Sequence, residues 1–270
     1  MRAVELHHGA ATDVGHVRTV NEDAFLVAPP VFVVADGMGG HAGGDVASAT
    51  AVQELGRLAD AGFDSHSGAQ AVVAALVRCQ ARLREYAAMQ PGDAQHAGTT
   101  AVVALLVSDP EGPRWLLANV GDSRVYRLGP HGLDQLSVDH SVVQELLDTG
   151  RITEQEAAGH PERHVITRAL SALEAPEPDF FLVPLPAAER LLLCSDGVSG
   201  MVPDATIEHL LRESPDPRDA AERLVQAALA AGGRDNATAV VVDVVGLVKD
   251  DAYDSARQRL SLVTKLGALP

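Results

Sequence analysis

The sequence predicts an α+β protein in which a pair of antiparallel sheets is flanked by helices. Three observations carry that prediction. Short apolar runs at 31–35, 190–195 and 238–245 read as buried strands, and each adjoins a turn that holds an acid. Helical signals come in separate blocks, at 44–59, 66–89, 204–213 and 217–232. The blocks follow the order strands, helices, strands, helices, strand, without the regular alternation that a doubly wound parallel sheet requires.

Taken along the chain, residues 4–12 and 23–28 read as strands flanking Thr12–Asp23, and strand 31–35 follows at once, which predicts an antiparallel meander. The Ala-rich stretch 44–59 is helical. Residues 66–89 place Val72, Val73, Leu76, Val77, Leu83 and Tyr86 on one helical stripe. Strands return at 99–107, 114–120 and 124–128, the last two separated by the tight-turn composition Gly121-Asp122-Ser123. Segment 139–170 holds charged residues and histidines but little continuous apolar sequence, and reads as a mobile surface flap with short helices at 141–148 and 153–158. Thr153 and Glu156 stand at capping-box spacing. Asp204 opens the helix at 204–213. Asp216 and Pro217 form an N-cap and first turn, and Gly232-Gly233 a stop, around the next helix. No internal repeat or linker divides residues 1–245, which read as one domain. Residues 246–270 depart from the compact pattern, and Tyr253, Ala256, Leu260 and Val263 suggest a short amphipathic helix in that tail.

Composition narrows the function classes. A 46% hydrophobic content over 270 residues supports a sizeable core, and with only 3% aromatics that core must be built from Ala, Val and Leu. A net charge of -16 argues against a nucleic-acid surface and fits either plain solubility or carboxylates collected around cations. Cys79 and Cys194 sit in apolar contexts without CxxC spacing, which supports neither a zinc knuckle nor a disulfide framework. No apolar signal region opens the sequence and no run approaches the roughly 18 residues of a membrane helix, so a cytoplasmic protein is expected.

The chemistry concentrates in acids at element ends. Asp36 follows strand 31–35, Asp196 follows 190–195, Asp235 precedes 238–245, Asp122 sits between strands, and Glu22-Asp23 opens another. Each alone is ordinary turn chemistry. Strand ends on a common edge would bring them together, where like carboxylates resist ionisation unless cations neutralise them. All-oxygen ligation selects Mg²⁺ or Mn²⁺ over zinc.

Seven motifs in order carry a family resemblance: Asp13-x-Gly15-x-x-Arg18-x-x-Asn21-Glu22-Asp23, Ala35-Asp36-Gly37-Met38-Gly39-Gly40-His41, Gly98-Thr99-Thr100, Gly121-Asp122-Ser123-Arg124, Asp139-His140-Ser141, Cys194-Ser195-Asp196-Gly197 and Arg234-Asp235-Asn236. Over residues 4–245 the chain resembles the bacterial branch of the metal-dependent type 2C protein serine/threonine phosphatases. The resemblance implies a four-layer αββα fold, with two antiparallel sheets packed as a central sandwich and helices on both faces. It implies two catalytic Mn²⁺ or Mg²⁺ ions and a weaker third. Asp36 would bridge the pair, with Asp196 and Asp235 completing one ion's ligands. Glu22 and the Gly37 carbonyl would serve the other, and Asp23 would hold a metal-bound water. Asp122 with Asp196 matches the third position, and Arg18 the residue that grips the phosphoryl group. Gly37 is read as required because its carbonyl must face inward.

Two such ions can share one water, lower its pKa and aim it in line at phosphorus, so no protein nucleophile is needed. The planar donor fork of Arg18 suits phosphate oxygens; its bland alternative is a surface salt bridge with Asp13 or Glu22. His41 could protonate the leaving group or brace the glycine-rich turn, while Met38 occupies the position where animal members carry His. His140 is expected to orient the start of the flap, and Thr99 and Thr100 to pack beneath the site. Ser171 and Ala188-Glu189-Arg190 depart from the usual bacterial pattern, outside the ligand positions.

The expectation is thus a monomeric phosphatase that hydrolyses phosphoserine and phosphothreonine in proteins, opposing bacterial Ser/Thr kinases. It would have no nucleic-acid or membrane partner. The alternatives are a non-catalytic phosphoprotein-binding module of the same fold and a metal-dependent hydrolase of small phosphoesters.

Overall fold

The computed structural model of the chain describes residues 4–39, 43–89, 97–173, 177–185 and 190–245. His41, Ala188-Glu189 and the tail at 246–270 lie outside the described residues.

Two five-stranded antiparallel sheets form the centre. The first contains β1 (Glu5–Asp13), β8 (Arg124–Gly129), β9 (Gly132–Gln135), β12 (Arg190–Cys194) and β13 (Ala237–Val245), in the order β1-β13-β12-β8-β9. The second contains β2 (Ala24–Ala28), β3 (Val31–Ala35), β6 (Ala101–Asp109), β7 (Gly112–Val120) and β11 (Asp179–Pro184), in the order β11-β7-β6-β3-β2. A small ladder of β4 (Gly37–Met38), β5 (Gly98–Thr99) and β10 (Leu170–Ser171) stands beside them.

The layers follow from side-chain alternation on strands whose two faces are both covered. Along β3, Val31, Val33 and Ala35 enter one core with helices α1 (Gly44–Gly56) and α2 (Ser65–Met89), while Phe32 and Val34 enter the core between the sheets. Along β13, Val240, Val242 and Val244 face the inter-sheet core. Ala237, Ala239 and Val241 face a third core with helices α6 (Asp204–Glu213) and α7 (Pro217–Ala230). Every described layer is apolar on its inner side, so the αββα sandwich is the expected one. The core is Val-, Leu- and Ala-rich, with Trp115, Tyr126 and Phe32 as its large fully buried rings. Burying each Val or Leu contributes about 1.5–3 kcal/mol relative to exposure.

Helix limits agree with their caps. The Asp216 side chain accepts from the Arg218 amide beside Pro217 at the start of α7, and the Thr153–Glu156 capping box forms at α4 (Glu154–Ala158). Ser141 caps α3 (Val142–Asp148), a helix without a buried residue, so the flap segment lies at the surface as expected. Among the described residues no helix is long and apolar enough to cross a membrane.

Three expectations need correction. The first three strands are not a meander: β2 pairs with β3, but β1 pairs with β13 in the other sheet, from Glu5↔Val245 to Asp13↔Ala237. Gly121-Asp122-Ser123 does not close a hairpin, because β7 and β8 belong to different sheets and the turn crosses between them. Asp196 does not simply end a strand; it opens α5 (Asp196–Ser199), a single helical turn.

Candidate active site

Register alone brings the acid-bearing ends together. Cys194, the last residue of β12, pairs with Ala239 near the start of β13 and with Arg124 at the start of β8. In the second sheet Val34, next to the end of β3, pairs with Val102, and Ala101 pairs with Val120 at the end of β7. Asp36, Asp122, Asp196 and Asp235 therefore leave their elements at one edge of the sandwich. A cleft of about 550 Å³ opens there, lined by these four, by Arg18, Glu22 and Gly37, and by Met38, Arg163, His164, Ile166, Met201 and Arg234.

Side chains from distant motifs fix the backbone that carries the acids. The Asp36 amide donates to Thr100 Oγ1 at 3.0 Å, while the Asp36 carbonyl accepts from the Thr100 amide and from Thr99 Oγ1, each at 2.9 Å. Thr100 Oγ1 also pairs with Ser123 Oγ at 2.7 Å, which couples the Asp36 turn to the crossing that holds Asp122. The two threonines thus clamp the candidate bridging residue, a more specific role than packing beneath it. Asn236 Oδ1 accepts from the Glu22 amide at 2.8 Å, and its Nδ2 donates to the Val14 and Val20 carbonyls at 3.0 Å each. One amide side chain therefore ties the Arg18–Glu22 segment to Asp235.

Glycine is needed at two of these junctions by close approach. A Cβ on Gly37 would stand 2.3 Å from the Gly44 carbonyl oxygen and 2.5 Å from that of Glu22. A Cβ on Gly197 would stand 1.8 Å from the Asn236 carbonyl oxygen. The crowding of backbones is what excludes a side chain at Gly37, rather than the direction of its carbonyl.

Electrostatics mark the cleft as charge-starved. Burial, added to by the charges of Asp23, Asp196, Asp122 and Asp235, pushes the Asp36 carboxyl well above its ordinary value. Burial and then Asp196 push Asp122 to about 7. Asp23 also rises to about 7 through burial, although the neighbouring Thr238 and Ser195 hydroxyls partly oppose it. Asp196 is raised by burial and Asp235, offset in part by a hydrogen bond with Asp36. Arg18, 48% exposed, is held as a cation by Asp235, whose Oδ2 accepts from Nη2 at 2.8 Å. The salt bridge that Arg18 makes is with Asp235, and the Asp13 carboxylate accepts from the Gly15 amide.

The residues fit a pair of hard cations. The donors are carboxylates, their charges exceed what Arg18 can balance, and Asp23 Oδ1 is buried without a hydrogen-bond partner while Oδ2 accepts from Ser195. Among the described residues no three His, Cys, Asp or Glu side chains close on one point as a ready-made cage. The cleft is a convergence of charge rather than a finished coordination sphere.

Arg163, His164, Ile166 and Met201 are lining residues outside the seven motifs, and Arg234 lines the cleft from within the last of them. The flap carries the first three, and only its excess of charged residues and histidines hinted at a role. His140 behaves as expected: Nδ1 accepts from the Gly121 amide at 3.1 Å, Nε2 pairs with Asp179 at 3.1 Å, and its carbonyl accepts from the Thr167 amide. Both ends of the flap are thereby tied to the Asp122 turn. Cys79 and Cys194 are buried and free, and burial pushes both thiols up to about 12, so neither is a nucleophile.

Comparison with known proteins decides the family. The protein phosphatase 2C model matches residues 15–236, most of the chain. The chain belongs to the protein phosphatase 2C family. It is 37% identical over 249 residues to the serine/threonine phosphatase stp of Listeria monocytogenes, covering 88% of this chain and 96% of that one. It is 41% identical over 242 residues to the serine/threonine protein phosphatase PstP of Mycobacterium tuberculosis, covering 89% of this chain. The chain spans about half the length of that mycobacterial relative (45%). The crystal structure of the PstP catalytic domain in complex with two manganese ions superposes with a TM-score of 0.78 at 38% identity, covering 90% of this chain and all of that one (100%).

Proposed function

We propose that this phosphatase 2C domain hydrolyses phosphoserine and phosphothreonine in proteins, using two Mn²⁺ or Mg²⁺ ions held in the cleft. The observation that carries the reading is the convergence of Asp36, Asp122, Asp196 and Asp235, with Glu22 and Arg18, on one cleft, where Asp36, Asp122 and Asp196 resist ionisation. Asp36 feels the charges of Asp23, Asp196, Asp122 and Asp235 together and is the residue we assign to both ions. Asp196 and Asp235 serve one of them, and Glu22 with the Gly37 carbonyl the other. Asp23 acts from behind, and Asp122 with Asp196 supplies a weaker third position. When bound, the cations supply the positive charge that acidifies an attacking water and offsets charge on the phosphoryl oxygens.

The chain's own residues do the rest. Arg18 grips phosphoryl oxygens through the donors that Asp235 does not occupy, and that ion pair holds its guanidinium at the cleft mouth. Thr99, Thr100 and Asn236 keep the carboxylates from shifting, because each fixes a ligand-bearing backbone group. His41 is the candidate from the sequence for leaving-group protonation, with bracing of the glycine-rich turn as its alternative, and His164, which lines the cleft from the flap, is a further imidazole available for it. Residues 4–245 act as one catalytic unit, and the natural substrates are cytoplasmic proteins phosphorylated by Ser/Thr kinases.

The test is hydrolysis of a phosphothreonine peptide with Mn²⁺, with and without EDTA, beside a panel of small phosphoesters. Metal-dependent turnover that favours the peptide is expected. Absence of turnover would favour the binding-module alternative, and preference for small phosphoesters would overturn the substrate class.

A further inference from the structure

Away from the cleft, α1 and α2 share a buried carboxylate surrounded by guanidinium groups. Glu54 is 1% exposed, and its Oε2 pairs with Arg57 Nη1 at 3.1 Å and Arg78 Nε at 2.9 Å. Its Oε1 pairs with Arg82 Nη1 at 3.1 Å, and Arg82 Nη2 donates to Gln53 Oε1 at 3.0 Å. Burial alone would raise the Glu54 carboxyl, yet the hydrogen bonds from Arg78 and Arg82 and the charge of Arg57 hold it below its ordinary value. Glu54 lies roughly 15 Å along α1 from Gly44, which abuts Glu22 in the cleft, so this is a different place on the molecule.

The charge does not balance. One carboxylate neutralises one guanidinium, and three are present, in a chain where acids outnumber Lys and Arg by 37 to 21. Asp60 and Glu85 are near in sequence but form no ion pair with the three among the described residues. Glu54 already uses both oxygens to hold the arginines by one edge each. Arg57 and Arg78 then keep their remaining donors, Arg57 Nη2 and both terminal nitrogens of Arg78, without a partner among the described residues, at 63% and 42% exposure. Two exposed guanidinium groups tethered to one buried carboxylate, with net positive charge, are the donors that recognise a tetrahedral, doubly charged oxyanion.

We propose that Arg57, Arg78 and Arg82, preorganised by buried Glu54, form a second anion site that takes a phosphoryl group carried by a protein. The net charge of -16 repels an extended anionic membrane, whereas a single phosphorylated side chain can meet a confined basic patch. The site does not depend on the hydrolytic reading of the cleft.

Arginine side-chain NMR of the full, Mg²⁺-loaded chain reads each guanidinium separately. Titration with inorganic phosphate, and with a peptide bearing a non-hydrolysable phosphonate, should shift the Arg57 and Arg78 Nε–Hε signals saturably, with Kd around the millimolar range for phosphate. The R57Q/R78Q double variant, in which Arg82 still partners Glu54, should bind the phosphonate peptide at this site about tenfold more weakly or worse, read at the Arg82 Nε–Hε signal so that binding in the cleft is not counted. The single variants R57Q and R78Q should fall between. Equal shifts from sodium chloride at matched ionic strength, or from the peptide without its phosphonate, would overturn the proposal. So would binding to vesicles containing phosphatidylserine that depends on Arg57 and Arg78 while the phosphonate peptide leaves their signals unshifted.

Discussion

The cleft and the α1–α2 seam both bury carboxylates, and burial alone would raise the pKa of each. In the cleft burial pushes Asp23 and Asp122 up to about 7 and raises Asp36 and Asp196 as well, and neighbouring carboxylates add to it. At the seam the same burial penalty is overcome and Glu54 is lowered, because three arginines belong to the fold. The seam supplies more positive charge than it needs, and the cleft far less. A fold that gathers buried acids beyond the reach of its own arginines takes cations from solution, and the related PstP catalytic domain has a structure in complex with two manganese ions.

The largest effect tests the cation-poor side. Asp36→Ala should reduce turnover of a phosphothreonine peptide by more than the roughly hundred- to thousandfold that loss of one oxyanion donor costs. Substantial Mn²⁺-dependent activity in that variant would remove Asp36 from its bridging role. On the cation-rich side, Glu54→Ala removes the shared carboxylate from three partly exposed arginines and should cost about 1–3 kcal/mol in urea unfolding. A loss below about 1 kcal/mol would mean that the arginines hold one another apart at little expense.

The pH dependence of stability should also separate the two regions. Folded Asp23 and Asp122 keep protons up to about 7, whereas ordinary unfolded carboxylates release theirs near 4. Between those values the folded state binds more protons, so stability of the metal-free protein falls as pH rises. Its Tm should drop by about 5 °C or more between about pH 5 and pH 8, and Mg²⁺ should restore most of that loss at the higher pH. A metal-free Tm that rises across this window would contradict the picture of charge-starved acids.

Smaller effects concern the substrate. Arg18→Ala should raise KM about ten- to hundredfold while changing kcat less, since phosphate binding is common to ground and transition states. His41→Ala and His164→Ala can be compared on p-nitrophenyl phosphate and on a phosphoserine peptide. The imidazole that protonates the leaving group should lose several-fold more on the peptide. Equal losses on both substrates would leave that residue structural.

Much of this comparison was legible in the sequence on one side only. The cleft acids are written beside Gly or Asn at the ends of apolar runs, and the ordered motifs add the rest, so Asp36, Asp196 and Asp235 could be read without coordinates. The seam could not, because Glu54 meets Arg78 and Arg82 across 24 and 28 residues, and nothing in helical periodicity says which exposed arginine turns towards which acid. The same limit hid the β1–β13 pairing, which joins the two ends of the described chain. The edge strand β11 was missed because half-exposed Phe180 and Leu182 are interleaved with partly covered neighbours, and β4, β5 and β10 because two-residue strands carry no period. The flap's contribution of Arg163 and His164 to the cleft depends on where a loop folds back, which local pattern does not encode.

The most direct measurement of the central claim is calorimetric titration of Mn²⁺ into the metal-free chain near neutral pH, repeated in buffers of different ionisation enthalpy. The account predicts at least two bound ions with net proton release, and loss of both strong sites in Asp36→Ala. Binding without proton release, or two strong sites that survive in Asp36→Ala, would contradict it.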